Sequence, residues 1–250
     1  MNIGLINKLQ KKALELRRLT FLEFVKKKEA HLGGSFSIIE ILITLYYLIL
    51  KKNDKFILSK AHASFPLCLI LRNFGMKPKM TTHLEIDEKN GIYCTTGSLG
   101  HGFPIATGMA FARKKMNKKG KIYVMISDGE CQEGTTWESM LIANKHILDN
   151  LVLIIDYNKI QALSKLDDVL PLNNLSNKIK SFNWKCINVK NGHSFKSLIA
   201  SLKIKQTKPT AIILNTIKGK GIKEFENDPV WHARQVNNTD IEIARKRLGF

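Results

Sequence analysis

The sequence predicts an α/β fold in which a mostly parallel β-sheet is flanked by helices on both faces. Two observations carry this prediction. Short, almost wholly apolar runs at residues 122–127, 151–156 and 210–216 have the composition of strands that are buried on both faces. Helical segments separate these runs, and an alternation of strand and helix is typical of parallel sheets. No internal repeat or low-complexity linker interrupts the pattern, so we expect a single domain over residues 1–250.

The individual elements follow from periodicity and from breaking residues. Apolar and charged positions alternate at helical spacing over residues 5–28, and the stretch from His31 to Ser35 is expected to break this first helix. A second helix is expected over residues 38–50, buried because it is apolar nearly all round. The long segment 77–100 lacks periodicity, which favours a functional loop. The remaining predictions are strands at 56–58 and 184–189 and helices at 62–74, 101–116, 135–146, 194–202 and 239–248.

The chain is strongly basic, with 40 Lys and Arg residues against 21 Asp and Glu residues and a formal charge of +19. Such a charge suits an anionic partner, for example a phosphorylated metabolite, an acidic protein, a membrane surface or a nucleic acid. A lysine-rich composition with a solvated surface explains the charge equally well. Because the lysines are scattered and aromatic residues do not alternate with them, nucleic-acid binding is the less favoured alternative.

The cysteines and the apolar stretches indicate a cytoplasmic protein. No cysteine forms a Cys-x-x-Cys pair or fits a zinc-binding spacing, which is typical of reduced thiols. The N-terminus lacks the long apolar segment of a secretion signal. The longest apolar stretch, residues 38–50, contains Glu40 and Thr44 and is too short to span a bilayer, so we expect no membrane segment.

Two polar side chains stand where neighbouring apolar strands end. Asp128 and Gly129 follow the strand at 122–127, and Asn158 follows the next strand, 30 residues after Asp128. Ligands of open α/β sheets bind at the carboxyl ends of the strands, and one strand–helix–strand unit brings both residues to the same edge. A carboxylate and an amide offer oxygen ligands for Mg²⁺ or Ca²⁺, and the glycine lets a diphosphate come close. Taken alone, an Asp-Gly pair after a strand is more often an ordinary turn.

Six blocks of sequence add a more specific pattern. In chain order they are "HLGGSFSIIEIL" (31–42), "FILSKAHAS" (56–64), "TTGSLGHGFPIATGMAFA" (95–112), "SDGECQEGTTWE" (127–138), "IIDYNKIQ" (154–161) and "KGKGIKEFENDPVWH" (218–232). Together they resemble the cofactor-diphosphate-binding N-terminal half of transketolase, most closely its short form that is split between two genes. The resemblance covers almost the whole chain and implies a thiamine-diphosphate-binding fold of the diphosphate-binding type. Ser127 and His101 depart from the family pattern, where glycine and glutamine are usual.

The resemblance implies a metal and cofactor site at the strand ends. Asp128, Asn158 and the main-chain carbonyl of Ile160 would bind Mg²⁺ (or Ca²⁺), and the diphosphate of thiamine diphosphate would complete the coordination shell. Gly129 and Glu130 would contact the cofactor. The loop Gly97-Ser98-Leu99-Gly100 would pass beneath it, with Leu99 near the pyrimidine.

Five of the seven histidines lie in blocks that match the family, and the resemblance implies catalytic roles for them. His31 and His232 would lie near the diphosphate and the incoming aldehyde. His62 and His83 would line the channel and hydrogen-bond the hydroxyl groups of the donor sugar. His62 and His232 would also contact the cofactor, and His101 would place a titratable group near the site. Neutral imidazole suits this work because it can donate and accept at once.

Three charged residues keep two interpretations each. Glu133 would join a carboxylate network across a subunit interface, as the resemblance implies. Alternatively, its negative charge would stabilise the N-terminus of the helix that follows. Lys218 and Lys220 would neutralise phosphate or would be solvated residues of a loop.

The resemblance also predicts a partner. In transketolases the glutamate that activates the cofactor belongs to a pyrimidine-binding domain, for which this sequence has no matching block. We therefore expect a separate C-terminal subunit that carries this domain and an assembly that forms a heterotetramer. The implied reaction is transfer of a two-carbon ketol unit from a ketose to an aldose, with phosphorylated or activated sugars as in the pentose phosphate pathway.

Several alternatives remain open from the sequence. A related enzyme could act on an unusual sugar of a polysaccharide or secondary-metabolite pathway, or the chain could be the α subunit of another thiamine-diphosphate enzyme, such as a 2-oxo acid dehydrogenase. A degenerate scaffold is disfavoured by the intact Asp128 and Asn158 pair. The non-enzymatic alternative is a basic nucleic-acid-binding module.

Overall fold

The computed structural model describes residues 3–162 and 164–250. Its centre is one five-stranded sheet in which every pair of neighbouring strands is parallel. The strand order is β1-β2-β3-β5-β4. This confirms the predicted fold class. The strands are β1 (Lys55–Leu58), β2 (Ile122–Ser127), β3 (Leu151–Tyr157), β4 (Lys185–Val189) and β5 (Thr210–Asn215).

Helices cover both faces of the sheet. They are α1 (Ile3–Lys27), α2 (Leu32–Phe36), α3 (Ile39–Thr44), α4 (Ser64–Asn73), α5 (Gly102–Lys115), α6 (Gly134–Lys145), α7 (Leu166–Val169), α8 (Leu175–Ser181), α9 (Phe195–Leu202) and α10 (Asn238–Leu248). Successive residues of a strand point to opposite faces, so alternate residues of β3 enter different cores. Val152 and Ile154 pack with α1, α3, α4 and α9, whereas Leu153 and Ile155 pack with α5 and α6.

The register of the sheet places the polar strand ends side by side. Ser127 at the end of β2 is level with Asp156 near the end of β3, and Asp156 is level with Leu214 of β5. The residues that follow β2, β3 and β5 therefore meet at one edge. This edge contains Asp128, Asn158 and Lys218.

The segment 32–50 differs from its prediction. The helix begins at Leu32, breaks at Ser37 and Ile38, resumes as α3 and ends in a π-helical turn, Leu45–Ile49. Gly33 and Gly34 do not end a helix here. They lie inside α2. A Cβ on Gly33 would come within 2.9 Å of the Trp231 carbonyl oxygen, so this position requires glycine. Close packing, rather than chain reversal, explains the glycine pair.

Other boundaries agree with the sequence within a few residues, and two short helices, α7 and α8, were not predicted. The segment 77–100 is irregular, as expected, with one 3-10 turn at Glu88–Asn90 and two isolated bridges, Leu84 to Thr96 and Asp87 to Ile92. Within the described residues one apolar stretch, Leu32–Ile49, is long enough by length and composition to cross a bilayer, but 78% of it is buried inside the fold.

Candidate functional site

A cavity of about 260 Å³ opens at the carboxyl ends of β2 and β3. The side chains of Asp128 and Asn158, which the sequence predicts to meet, lie in its wall together with Gly129 and Ile160. The described residues of the wall are Gly34, Lys60, His62, Leu99, Ser127, Asp128, Gly129, Gln132, Glu133, Asn158, Ile160, Gln161, Ala162, Lys218 and His232.

Asp128 is held from two sides by main-chain donors. Oδ1 accepts a hydrogen bond from the N–H of Gly129 at 2.9 Å, and Oδ2 accepts one from the N–H of Lys159 at 2.6 Å. The side chain is almost completely buried. Burial, reinforced by the nearby charge of Asp156, raises the pKa of Asp128 to about 7. A cation in the cavity would counteract both effects and favour the ionised carboxylate.

Asn158 has a fixed amide orientation. Nδ2 donates to Oδ2 of Asp156 at 3.1 Å, and Oδ1 accepts from the N–H of Ile160 at 3.1 Å. A carboxylate accepts but does not donate, so the NH₂ group of the amide must face Asp156.

Asp156 is the buried anchor beneath the cavity, and the sequence pattern did not reveal its role. Its carboxylate accepts from Ser37 at 2.7 Å, from the Lys60 ammonium at 2.5 Å, from Asn158 and from the Thr216 hydroxyl. Burial by itself raises the pKa of Asp156, but the Lys60 charge and these hydrogen bonds outweigh burial and hold the pKa below its usual value. The signal in the sequence was an acid inside an otherwise apolar strand.

Lys218 enters the cavity from the loop that follows β5. Its Nζ donates to the carbonyl oxygens of Ile160 at 3.1 Å and Gln161 at 3.3 Å, and it lies 2.9 Å from Nδ1 of His232. Burial, together with the neighbouring Lys60 charge, lowers the pKa of Lys218 to about 8. The interpretation of Lys218 as a solvated loop residue is therefore wrong. Lys220, by contrast, is half-exposed and pairs with Glu226 at 3.1 Å.

Three of the predicted histidines form one cluster. The ring centroids of His31, His62 and His232 lie 5.3–5.6 Å from one another. Burial lowers the pKa of all three, to about 3 for His232 and well below the usual value for His62. They are neutral at pH 7. Because the Lys218 ammonium donates to Nδ1 of His232, the proton of this imidazole is on Nε2.

The other two predicted histidines lie apart from the cavity wall. His83 is exposed and packs against Gly97, where an added side chain would overlap the imidazole. His101 is also exposed, and its Nδ1 lies 3.0 Å from the carbonyl oxygen of Leu99 and 3.2 Å from Oγ of Ser98. Of the loop 97–100, only Leu99 lines the cavity.

The two predicted glutamates differ in position. Glu130 is completely buried behind the cavity and does not line it. Its carboxylate accepts from the N–H of Ser127 at 2.9 Å, from the N–H of Gly100 at 3.1 Å and from the Ser59 hydroxyl, and so it links three loops. Glu133 is exposed at the cavity wall and occupies the N-cap position of α6 without a side-chain capping bond.

The donor set of the cavity suits a hard cation bound with a diphosphate. Among the described residues no group of three or more His, Cys, Asp or Glu side chains could hold a metal ion. Asp128, Asn158 and Ile160 instead offer one carboxylate, one amide and one carbonyl oxygen, which match Mg²⁺ or Ca²⁺ if further oxygen ligands come from a bound molecule. The three atoms nearest to a Cβ added to Gly129 would belong to Gln161 and Ser127, the closest of them at 3.6 Å. The fold therefore leaves open the space above Gly129.

A parallel α/β sheet with this cavity at its carboxyl edge defines an open α/β protein that binds a small molecule at the strand ends. The family described as "Transketolase, thiamine diphosphate binding domain" matches residues 9–250, and the chain belongs to this family. This confirms the resemblance seen in the sequence.

Two relatives are similar to the chain over nearly its whole length. One is a subunit of the apulose-4-phosphate transketolase of Actinobacillus succinogenes, which is 34% identical, with 97% of this chain and 96% of the relative covered. The other is the 6-deoxy-6-sulfo-D-fructose transketolase subunit SqwG of a Clostridium species, which is 35% identical, with 90% of each covered.

A solved structure shows the same fold. The transketolase of Campylobacter jejuni superposes with a TM-score of 0.86 at 27% identity. The superposition covers all of this chain and 43% of the Campylobacter chain, so the present chain spans less than half of the length of that enzyme.

Proposed function

We propose that the chain is the N-terminal, thiamine-diphosphate-binding subunit of a split transketolase. With a separate C-terminal subunit it transfers a two-carbon ketol unit from a ketose to an aldose. The observation that carries the proposal is the single cavity that contains both Asp128 and Asn158 at adjacent strand ends. Membership of the transketolase family supports the reaction class.

Different residues of the cavity would bind the metal ion and the diphosphate. Asp128, the Oδ1 atom of Asn158 and the carbonyl oxygen of Ile160 would hold Mg²⁺ or Ca²⁺. Gly129 would let the diphosphate approach the backbone, and the Lys218 ammonium would compensate its negative charge. When bound, thiamine diphosphate supplies the carbanion chemistry of ketol transfer.

The histidines would bind the cofactor and the sugar by hydrogen bonds. His62 and His232 line the cavity and His31 touches both, so these three would contact the cofactor and the reacting sugar. Because burial keeps them neutral, His31 and His62 can each donate from one ring nitrogen and accept at the other. His232 would donate from Nε2, because its Nδ1 accepts from Lys218. His83 and His101 would contact the more distant part of the sugar from the exposed loops, and Glu133 would face the partner subunit.

The proposed partner is a subunit that carries the pyrimidine-binding domain. Two similar proteins are described as subunits of transketolases, and the Campylobacter enzyme is more than twice as long as this chain. A partner of this kind would supply the glutamate that activates the cofactor. We propose a heterotetramer in the cytoplasm, in which residues 1–250 form one domain.

The substrate proposal has two forms. The first is a phosphorylated sugar of the pentose phosphate pathway. The second is a less common anionic sugar, which is favoured by the descriptions of the relatives as transketolases of apulose-4-phosphate and of 6-deoxy-6-sulfo-D-fructose.

The test is a reconstitution with the neighbouring gene product. The chain, that product, thiamine diphosphate and Mg²⁺ are mixed, and ketol transfer is measured with xylulose 5-phosphate, fructose 6-phosphate and sulfonated or branched donors. Turnover that needs both subunits supports the proposal, and the preferred donor separates the two substrate forms. Absence of turnover with every donor would refute it.

A further inference from the structure

A second and larger cavity adjoins the cofactor cavity. Its volume is about 580 Å³, it opens at the carboxyl ends of β3, β4 and β5, and the described residues that it shares with the cofactor cavity are Asn158 and Ile160. A volume of this size accommodates a small metabolite. Ligands of open α/β sheets bind at this edge of the sheet.

The wall of the larger cavity is basic and polar. Among the described residues it contains four lysines, four asparagines and no carboxylate. Lys220 pairs with Glu226, outside the wall, at 3.1 Å. Lys159, Lys165 and Lys190 make no ion pair within residues 3–162 and 164–250. A concave surface with several unpaired positive charges attracts anions.

Hydrogen bonds connect the loop after β4 to the end of β5 beside the cavity. The N–H of Gly192 donates to the carbonyl oxygen of Asn215 at 2.8 Å, and a Cβ on Gly192 would lie 2.6 Å from Cγ2 of Thr216. His193 is fixed on both ring nitrogens, with Nδ1 at 2.9 Å from the buried Glu40 and Nε2 accepting from the N–H of Ile217. The loop after β4 and the end of β5 thus form a preorganised surface, which reduces the cost of binding a ligand.

Lys159 connects the two cavities. Its backbone has φ = 64°, a left-handed conformation that is uncommon for a residue other than glycine. Its N–H donates to Oδ2 of Asp128 at 2.6 Å, whereas the residue also lines the larger cavity. Backbone strain of this kind is concentrated at functional sites.

We propose that the larger cavity binds a small phosphorylated polyol or sugar, separately from thiamine diphosphate. The ammonium groups of Lys165 and Lys190 bind the phosphate, and the asparagine amides bind the hydroxyl groups of the ligand. The inference goes beyond the proposed function because that function requires neither these lysines nor a second anion site.

The test uses sorbitol 6-phosphate, which has no carbonyl group and therefore cannot donate or accept a ketol unit. It is titrated into the full chain saturated with thiamine diphosphate and Mg²⁺, and binding is followed by calorimetry and ³¹P NMR. We expect one saturable site with Kd on the order of 1 mM. Lys165→Gln combined with Lys190→Gln weakens binding by about tenfold or more. The matched control, Lys178→Gln with Lys203→Gln, removes two exposed lysines outside the wall and leaves Kd within about twofold.

Three results would overturn the proposal. They are no saturable binding, equal binding by the Lys165/Lys190 double variant, and competition between sorbitol 6-phosphate and thiamine diphosphate, which would place the probe in the cofactor cavity. If the second result is accompanied by loss of partner-subunit binding in the double variant, the basic wall is a protein interface. Failure of the proposed function is seen separately, as absence of cofactor binding in a titration without the probe.

Discussion

Nδ2 of Asn158 donates a hydrogen bond to Oδ2 of Asp156 at 3.1 Å, and this contact determines which end of the amide is left for the cofactor cavity. Asp156 is fully buried and its carboxylate can only accept, so the NH₂ group must point towards it. The amide oxygen is thereby oriented for the metal site that we propose. Asp156 also forms the ion pair with Lys60 at 2.5 Å, so it affects both the stability of the fold and the geometry of the site.

Replacing Asp156 with Leu should therefore have two separable effects. The free energy of unfolding should fall by about 3–5 kcal/mol, because Lys60 becomes an unpaired buried charge. The affinity for Mg²⁺ with thiamine diphosphate should also fall, by about tenfold to a hundredfold, because Asn158 loses its orienting acceptor. Thermal unfolding and a calorimetric cofactor titration measure the two effects.

The double variant Asp156→Leu with Lys60→Met distinguishes positioning from stability. Removing both charges should recover much of the melting temperature, while cofactor affinity stays low. Recovery of cofactor affinity along with stability would show that Asp156 does not orient Asn158.

Gly129→Ala should block the cofactor without harming the fold. The nearest atom that the added methyl group would meet, on Gln161, is 3.6 Å away, so the melting temperature of the chain alone should change by less than about 2 °C. If the diphosphate approaches the backbone here, the methyl group occupies its space, and thiamine diphosphate should no longer raise the melting temperature. Gly108→Ala is the matched control, since a Cβ there meets no described atom within 4 Å and Gly108 lies outside the cavity wall. An unchanged cofactor response in Gly129→Ala would place the diphosphate elsewhere.

Lys218→Met should weaken cofactor binding more than it affects stability. The variant loses the ammonium that would face the diphosphate, and a charge-assisted hydrogen bond to an anionic group contributes about 1.5–3 kcal/mol. We therefore expect the Kd of thiamine diphosphate to rise by about tenfold to a hundredfold. The melting temperature should change little, because removal of a desolvated charge offsets the loss of the contacts with Ile160 and His232. Lys220→Met, which removes a half-exposed lysine paired with Glu226, is the control and should change Kd by less than about twofold. Equal effects of the two substitutions would contradict a specific role for Lys218.

The sequence predicted the sheet well because the signal of a buried parallel strand is local. Each of the runs at 122–127, 151–156 and 210–216 is apolar enough to identify a strand, and the structure confirms them within one residue. The short helices α7 and α8 were missed because four and seven residues are too few to show a helical period. The glycine pair at Gly33 and Gly34 misled the prediction, since its purpose depends on Trp231 and His62, which are distant in the chain.

Some residues of the candidate site could also be predicted from the sequence, whereas others could not. Asp128 and Asn158 could be identified because their positions after two strands determine where they meet. Asp156 and the network that orients Asn158 could not be identified from the sequence. The contacts of Asp156 with Ser37, Lys60 and Thr216 join residues up to 119 positions apart. The burial of Lys218 could not be predicted from the sequence either, since a lysine after a strand is most often solvated.

The raised pKa of Asp128 predicts how the stability of the metal-free chain depends on pH. Its pKa is about 7 in the folded protein and about 3.9 in an unfolded chain, because burial and the Asp156 charge oppose ionisation. The folded state therefore holds its proton at a pH where the unfolded state has lost it. The contribution of Asp128 is fully favourable below about pH 4 and is lost as the pH rises through 7.

Asp128→Asn removes the titrating group and isolates this contribution. Its NH₂ group replaces one of the two oxygens that accept main-chain hydrogen bonds, so the variant should melt below the unsubstituted chain at pH 4. Its stability relative to that chain should then rise by a few kcal/mol between pH 4 and pH 7.5. Thermal unfolding in EDTA from pH 4 to 8 measures the difference. Because the buried histidines titrate in both proteins, their opposite pH dependence cancels in the comparison. A difference that stays constant with pH would mean that Asp128 is already ionised in the metal-free fold.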